Sequence, residues 1–269
     1  MINDHFIVEF IETEEGLCII RLNVFDLTVK DTYFLIDTGS SSSLICSDIC
    51  NCENKKTTFG FRICNHNFIF KNKFDVIEHG IIPQIKDYKI SGILGCDFFL
   101  KYNILIDFGS KHILNQSYFT HYYKKDINNI QVKLLPIPIK TPFITVRVAK
   151  DNYPCLIDSG SNMNIISEEL YYPQDNKDNR CSGILINNLG GHIYGQTGNI
   201  NIEIPDSFNG TYDNYISFET VCIYLDTNKF SHKLFKDGLI RILLGYSFLR
   251  DNGCILALSS KHIYLRHKE

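Results

Sequence analysis

The chain repeats itself, and the repeat sets the terms for everything else. Leu35-Ile36-Asp37-Thr38-Gly39-Ser40 returns without a gap as Leu156-Ile157-Asp158-Ser159-Gly160-Ser161. Further along, Ile93-Leu94-Gly95 and Phe98 match Leu243-Leu244-Gly245 and Phe248 in kind. Gly109-Ser110-Lys111-His112-Ile113 then follows the first glycine at the same distance as Ser259-Ser260-Lys261-His262-Ile263 follows the second. Self-similarity on this scale marks a duplicated structural unit. The 269 residues therefore divide into two homologous halves, 1–125 and 126–269. The join falls in the polar run Tyr122–Asn129, after which Pro136 and Pro138 favour an extended entry into the second half.

The tempo of each half predicts a β-rich protein with short helices, all-β in class. Phe143 to Val148 alternates apolar and polar residues, as does the second part of Cys18 to Val24. Each Asp-Thr/Ser-Gly motif lies where an apolar strand runs into a Gly-Ser turn. Short helices are expected at Asp97–Tyr102 and Ser247–Asp251, each giving way to another apolar strand.

Charge narrows the function classes. Twenty-seven basic residues against 30 acidic leave a net charge of −3, which advertises neither a nucleic-acid nor a membrane partner. No apolar run approaches the roughly 18 residues of a spanning helix. Met1 to His5 shows no basic segment followed by an apolar one, so the expected location is the cytoplasm, with the ten cysteines as reduced thiols. Cys46, Cys50, Cys52, Cys64 and His66 do not have the spacing of paired zinc knuckles, and no metal is expected there.

One aspartate per half points to a site shared across a pseudo-twofold axis. Two carboxylates about 3 Å apart cannot both ionise cheaply and hold one proton between them. The ionised member can take a proton from a trapped water while the protonated member polarises a carbonyl oxygen. Such a pair titrates as a unit, so neither Asp37 nor Asp158 can be assigned the acid role from sequence. Gly39 and Gly160 let the loops approach. Thr38 and Ser159 each keep a hydroxyl that can bond across to the opposite loop, and Ser40 and Ser161 are expected to donate to the outer carboxylate oxygens. Asp97 and Asp107 lack acidic counterparts at Ser247 and Ala257 and are not read as catalytic.

Taken together, the two aspartate motifs and the glycine turns at Gly95 and Gly245 resemble the active-site loops of retropepsin-like aspartic proteases. Gly92-Ile93-Leu94-Gly95-Cys96-Asp97-Phe98-Phe99-Leu100 is similar to the end of such domains. Family members usually pair two subunits with one aspartate each. The resemblance implies two acid-protease β-barrel halves in one chain, a monomer acting as a pseudo-dimer. It also implies an aspartic endopeptidase that needs no cofactor and binds extended peptide or unfolded polypeptide. Ile186 to Gly195 resembles a family flap hairpin, with Gly190 and Gly191 at the tip and His192, Ile193 and Tyr194 beyond. The matching stretch of the first half, Phe59 to Phe70, has no glycine pair, so the cleft is expected to be asymmetric. A non-catalytic peptide-binding module on the same fold, and a homodimer pairing like halves, are the competing readings.

Overall fold

A computed structural model describes residues 6–25, 32–50, 55–63, 66, 68–78, 80–82, 85–123, 129–170, 181–186, 192–206, 214–225 and 237–266. In the first half the strands are β1 (Ile7–Glu9), β2 (Ile11–Glu12), β3 (Cys18–Val24), β4 (Thr32–Ile36), β5 (Leu44–Cys46), β6 (Lys56–Ile63), β7 (Phe70–Ile77), β8 (Ile90–Leu94), β9 (Ile104–Asp107) and β10 (His112–Asn115). The second half follows with β11 (Asn129–Lys133), β12 (Phe143–Val148), β13 (Asp151–Asp158), β14 (Asn164–Ser167), β15 (Cys181–Ile186), β16 (His192–Pro205), β17 (Tyr215–Leu225), β18 (Ile242–Gly245), β19 (Ile255–Ala257) and β20 (His262–Arg266).

Each half closes into a six-stranded barrel. In the first, the order β3-β4-β8-β5-β7-β6 is sealed by pairing of β6 back onto β3, with β2 as an appendage. In the second, β12-β13-β18-β14-β17-β16 is sealed by β16 on β12, and β15 lies outside the ring. The strands that carry the aspartates, β4 and β13, run parallel to β8 and β18. The apolar runs that lead into the aspartates, Phe34, Leu35 and Ile36 in β4 and Cys155, Leu156 and Ile157 in β13, are buried throughout, as fits strands covered on both faces. Strands with one wet face alternate: Phe70, Asn72 and Phe74 of β7 point inward while Lys71 and Lys73 are exposed.

A third, six-stranded antiparallel sheet joins the halves in the order β1-β10-β9-β19-β20-β11. Its central pairing sets Asp107 opposite Ile255 and Ile106 opposite Leu256. The repeated Ser-Lys-His-Ile motif forms the turn before β10 and β20, with Lys111 and Lys261 both in left-handed conformation (φ 61° and 59°). Their carbonyls accept the N–H groups of Phe10 and Leu134. The recurring histidines are thus part of a duplicated turn-and-strand unit. One buried apolar cluster runs through both barrels and the joining sheet.

Besides short helical turns at Ser47–Cys50, Gln116–Tyr118, Phe119–Tyr123 and Glu168–Leu170, the two expected helices form at Cys96–Tyr102 and Tyr246–Asp251. The first ends on Asn103 in left-handed conformation (φ 52°), whose N–H bonds Leu100 O. Phe98 and Tyr102 of this helix pack on Phe70, and Phe98 also meets Phe61.

The halves differ between the third and fourth strands of their barrels in chain order. The chain passes from β5 to β6 in nine residues (47–55), whereas residues 168–195 separate β14 from the barrel portion of β16, whose pairing with β17 starts at Gln196. That added length includes the hairpin of β15 with the start of β16, running from Cys181 opposite Thr197 to Ile186 opposite His192. The stretch Phe59 to Phe70, compared above with a flap, belongs to the β6–β7 hairpin of the barrel wall, with Phe61 opposite Phe70.

Candidate active site

Asp37 follows β4 and Asp158 ends β13, so two equivalent strands deliver the carboxylates to one place. The side chains are nearly fully buried and lie within hydrogen-bonding reach of each other. A Cβ added to Gly39 would come 2.5 Å from Asp158 Cγ, and one added to Gly160 would come 2.5 Å from Asp37 Cγ. Each loop therefore passes over the other's carboxylate so closely that only hydrogen fits. Burial, the facing Asp158 charge and the hydrogen bond to it raise the Asp37 pKa well above the ordinary 3.8.

The loops grip each other reciprocally. Thr38 Oγ1 donates to Ile157 O at 2.8 Å and accepts Ser159 N–H at 2.9 Å. Ser159 Oγ donates to Ile36 O at 2.8 Å and accepts Thr38 N–H at 3.1 Å. Of these four buried bonds, two tie the residue after each aspartate to the strand that carries the other, and two join Thr38 and Ser159 directly. Within the loops, Gly39 N–H and Ser40 N–H donate to Asp37 Oδ1 at 2.8 and 3.1 Å, and Gly160 N–H donates to Asp158 Oδ1 at 2.9 Å.

The hydroxyls of Ser40 and Ser161 do not bond the carboxylates as expected. They donate instead to Ser42 O at 2.7 Å and Met163 O at 2.9 Å, closing their own loops. The reason is local: each loop turns back on itself and brings its own carbonyl two residues on within reach of the hydroxyl.

Gly95 and Gly245 pack against the loops from behind. A Cβ on Gly95 would come 2.5 Å from Ser42 O and 2.9 Å from Ser40 O, and one on Gly245 would strike Met163 O. The next residue donates its N–H to the loop in each half, Cys96 to Ser40 O at 2.9 Å and Tyr246 to Ser161 O at 2.7 Å. Sequence reasoning missed Cys96, whose thiol also donates to Thr38 O at 3.2 Å. Burial and the nearby carboxylates push that thiol well above its usual range.

Gly190 and Gly191 lie outside the described residues, and His192, Ile193 and Tyr194 open β16 opposite Ile186, Leu185 and Ile184. Asp97 and Asp107 stand apart from the pair. Asp107 is fully buried, accepts Ser110 N–H at 2.9 Å and faces Arg266 at 3.3 Å across the joining sheet. Among the described residues no group of three or more His, Cys, Asp or Glu could hold a metal ion, and seven cysteines there are free thiols. No described helix is long and apolar enough to cross a membrane.

No protein-family model and no curated protein sequence matches this chain. Solved structures do. An aspartic proteinase from Irpex lacteus superposes with a TM-score of 0.53 at 10% identity, over 98% of each chain. The fold is that of an aspartic proteinase. Soybean basic 7S globulin superposes with a TM-score of 0.56 at 8% identity, over 97% of this chain and 94% of its own. An aspartic-proteinase fold has two lobes around a pseudo-twofold axis, which is the relation that brings Asp37 and Asp158 together here. At these identities the match speaks for architecture alone.

Proposed function

We propose that the protein is an aspartic endopeptidase, cleaving extended or unfolded polypeptide by direct attack of water. The observation that carries this reading is the reciprocal burial of Asp37 and Asp158 face to face, each beneath the other's glycine. A carboxyl pair sharing one proton offers a base for the water and an acid for the peptide carbonyl at the same moment. The loop N–H groups stabilise the ionised form, while the grip of Thr38 and Ser159 holds the two carboxyls in register without reorganisation during the reaction. After attack, the proton taken from water is available for the leaving amine. The hairpin of β15 and β16 supplies a flap from the second half that would pair with a substrate strand and shed water from it. The shortness of the halves fits a fused pair of retropepsin-like units, and we read the chain as a catalytically complete monomer in the cytoplasm.

One observation favours a second reading. A soybean globulin shares the architecture, so a peptide-binding module without turnover is compatible with the fold. Peptide-library cleavage across acidic and neutral pH separates the two. The endopeptidase reading expects cleavage with an acidic optimum, lost on Asp37→Asn and on Asp158→Asn separately, each by a factor on the order of 10³ or more. Binding without cleavage at any pH would establish the module instead.

A further inference from the structure

The duplication places two side-chain pairs in equivalent positions, and their chemistry is exchanged between the halves. Ser43 and Asn164 each lie six residues beyond an aspartate. In register, Leu44 faces Asp75 as Ile165 faces Ile223, which makes Asn72 and Thr220 equivalent as well. The first half thus carries hydroxyl then amide, and the second carries amide then hydroxyl. Ser43 Oγ accepts Gly95 N–H at 3.1 Å and Asn72 Nδ2–H at 3.0 Å. Asn164 Oδ1 accepts Gly245 N–H at 2.9 Å, while its Nδ2 donates to Thr220 Oγ1 at 2.8 Å.

Asp97 completes the pattern. The Ser43 hydroxyl accepts two N–H donors and still has one proton to place, and that proton goes to Asp97 Oδ1 at 2.7 Å. Asn164 presents a carbonyl oxygen with no proton of its own, so the second half needs no carboxylate at the position of Asp97, and Ser247 stands there. The absence of an acidic counterpart to Asp97 follows from the identity of its partner.

These groups are linked to the carboxylate pair through backbone. Ser43 holds Gly95, Cys96 N–H then holds Ser40 O, and Ser40 N–H reaches Asp37 Oδ1. The second half repeats the first two links through Asn164, Gly245, Tyr246 N–H and Ser161 O. We propose that Ser43–Asn72–Asp97 and Asn164–Thr220 are two chemically exchanged latches, positioning residues that fix the aspartate loops through the N–H groups of Gly95 and Gly245. Each latch is a unit: its members are interchangeable between halves as a set and not singly. As a matter of catalysis the proposal rests on the endopeptidase reading above; as a matter of loop anchoring it does not.

The test uses the full chain and three variants: Ser43→Ala, Ser43→Asn, and the transplant Ser43→Asn/Asn72→Thr/Asp97→Ser, which installs the second-half latch in the first. Amide hydrogen exchange at Gly95 and Gly245 is read first. Ser43→Ala is expected to speed exchange at Gly95 by about tenfold or more and to leave Gly245 unchanged, with the transplant restoring Gly95 to within about threefold of wild type. Where wild type cleaves peptide, kcat is expected to fall about tenfold in Ser43→Ala with KM nearly unchanged, with a displaced acid limb of the pH profile, both recovered by the transplant. Should Ser43→Ala fail to fold, Asp97→Ala, which removes the oxygens that accept from Ser43 Oγ and Asn72 Nδ2, takes its place. Unchanged exchange at Gly95, or Ser43→Asn alone performing as well as the transplant, would overturn the latch. A wild type that cleaves nothing while the exchange pattern holds would refute the endopeptidase reading and leave the latch standing.

Discussion

Burying Asp37 against a second carboxylate makes ionisation costly, and that cost fixes the sign of a measurable effect. A group whose pKa is raised on folding binds its proton more tightly in the folded state. Its contribution to stability is complete below the unfolded value and is lost as pH rises through the folded one. Asp37 is raised well above 3.8, so Asp37→Asn is expected to melt higher than wild type near pH 7, with the gap closing towards pH 4. Thermal melts across that range check it, and a gap that widens towards acid would contradict the shared burial. The grip residues act oppositely. Thr38→Val leaves Ser159 N–H without its acceptor and Ile157 O without its donor, and should cost about 1–3 kcal/mol in chemical unfolding. Gly160→Ala forces a methyl onto the Asp37 carboxyl. That substitution should cost a similar ~1–3 kcal/mol and remove cleavage activity, whereas Ala at the open Gly238, strained only by its φ of 69°, should spare activity.

At the scale of elements, the joining sheet is the weight-bearing link between halves. Arg266 of β20 reaches across to Asp107 of β9, and Arg250 of the second half meets Glu12 of the first at 2.6 Å. Arg266→Met would leave a fully buried carboxylate without its guanidinium partner. It should destabilise the protein by about 1–3 kcal/mol by denaturant titration, and an unchanged midpoint would show that water already serves Asp107. The sequence made much of this architecture readable because the duplication repeats whole elements: aspartate strand, glycine turn, helix, and the Ser-Lys-His-Ile turn. Pairings between elements were not readable. The ion pair of Asp107 was not readable because its partner lies 159 positions away, and Ser40 and Ser161 were assigned to the carboxylates because sequence does not show how sharply their loops curl back. The flap comparison at Phe59 to Phe70 failed for a different reason. Among the described residues the first half shows no counterpart of the β15–β16 hairpin, and an alternating apolar barrel strand looks the same in sequence as a flap strand.

At the scale of the molecule, the two barrels, the sheet between them and the continuous core serve to hold two carboxyls close enough to share a proton. The most direct test is carboxyl ¹³C NMR of protein labelled at aspartate, titrated from about pH 3 to 8, with Asp37→Asn and Asp158→Asn assigning the signals. The structure predicts two coupled resonances for the pair. One proton should leave well above 3.8, and in either Asn variant the surviving aspartate should titrate differently than it does in the pair. Two resonances that titrate independently near 3.8, each indifferent to the loss of the other, would contradict it.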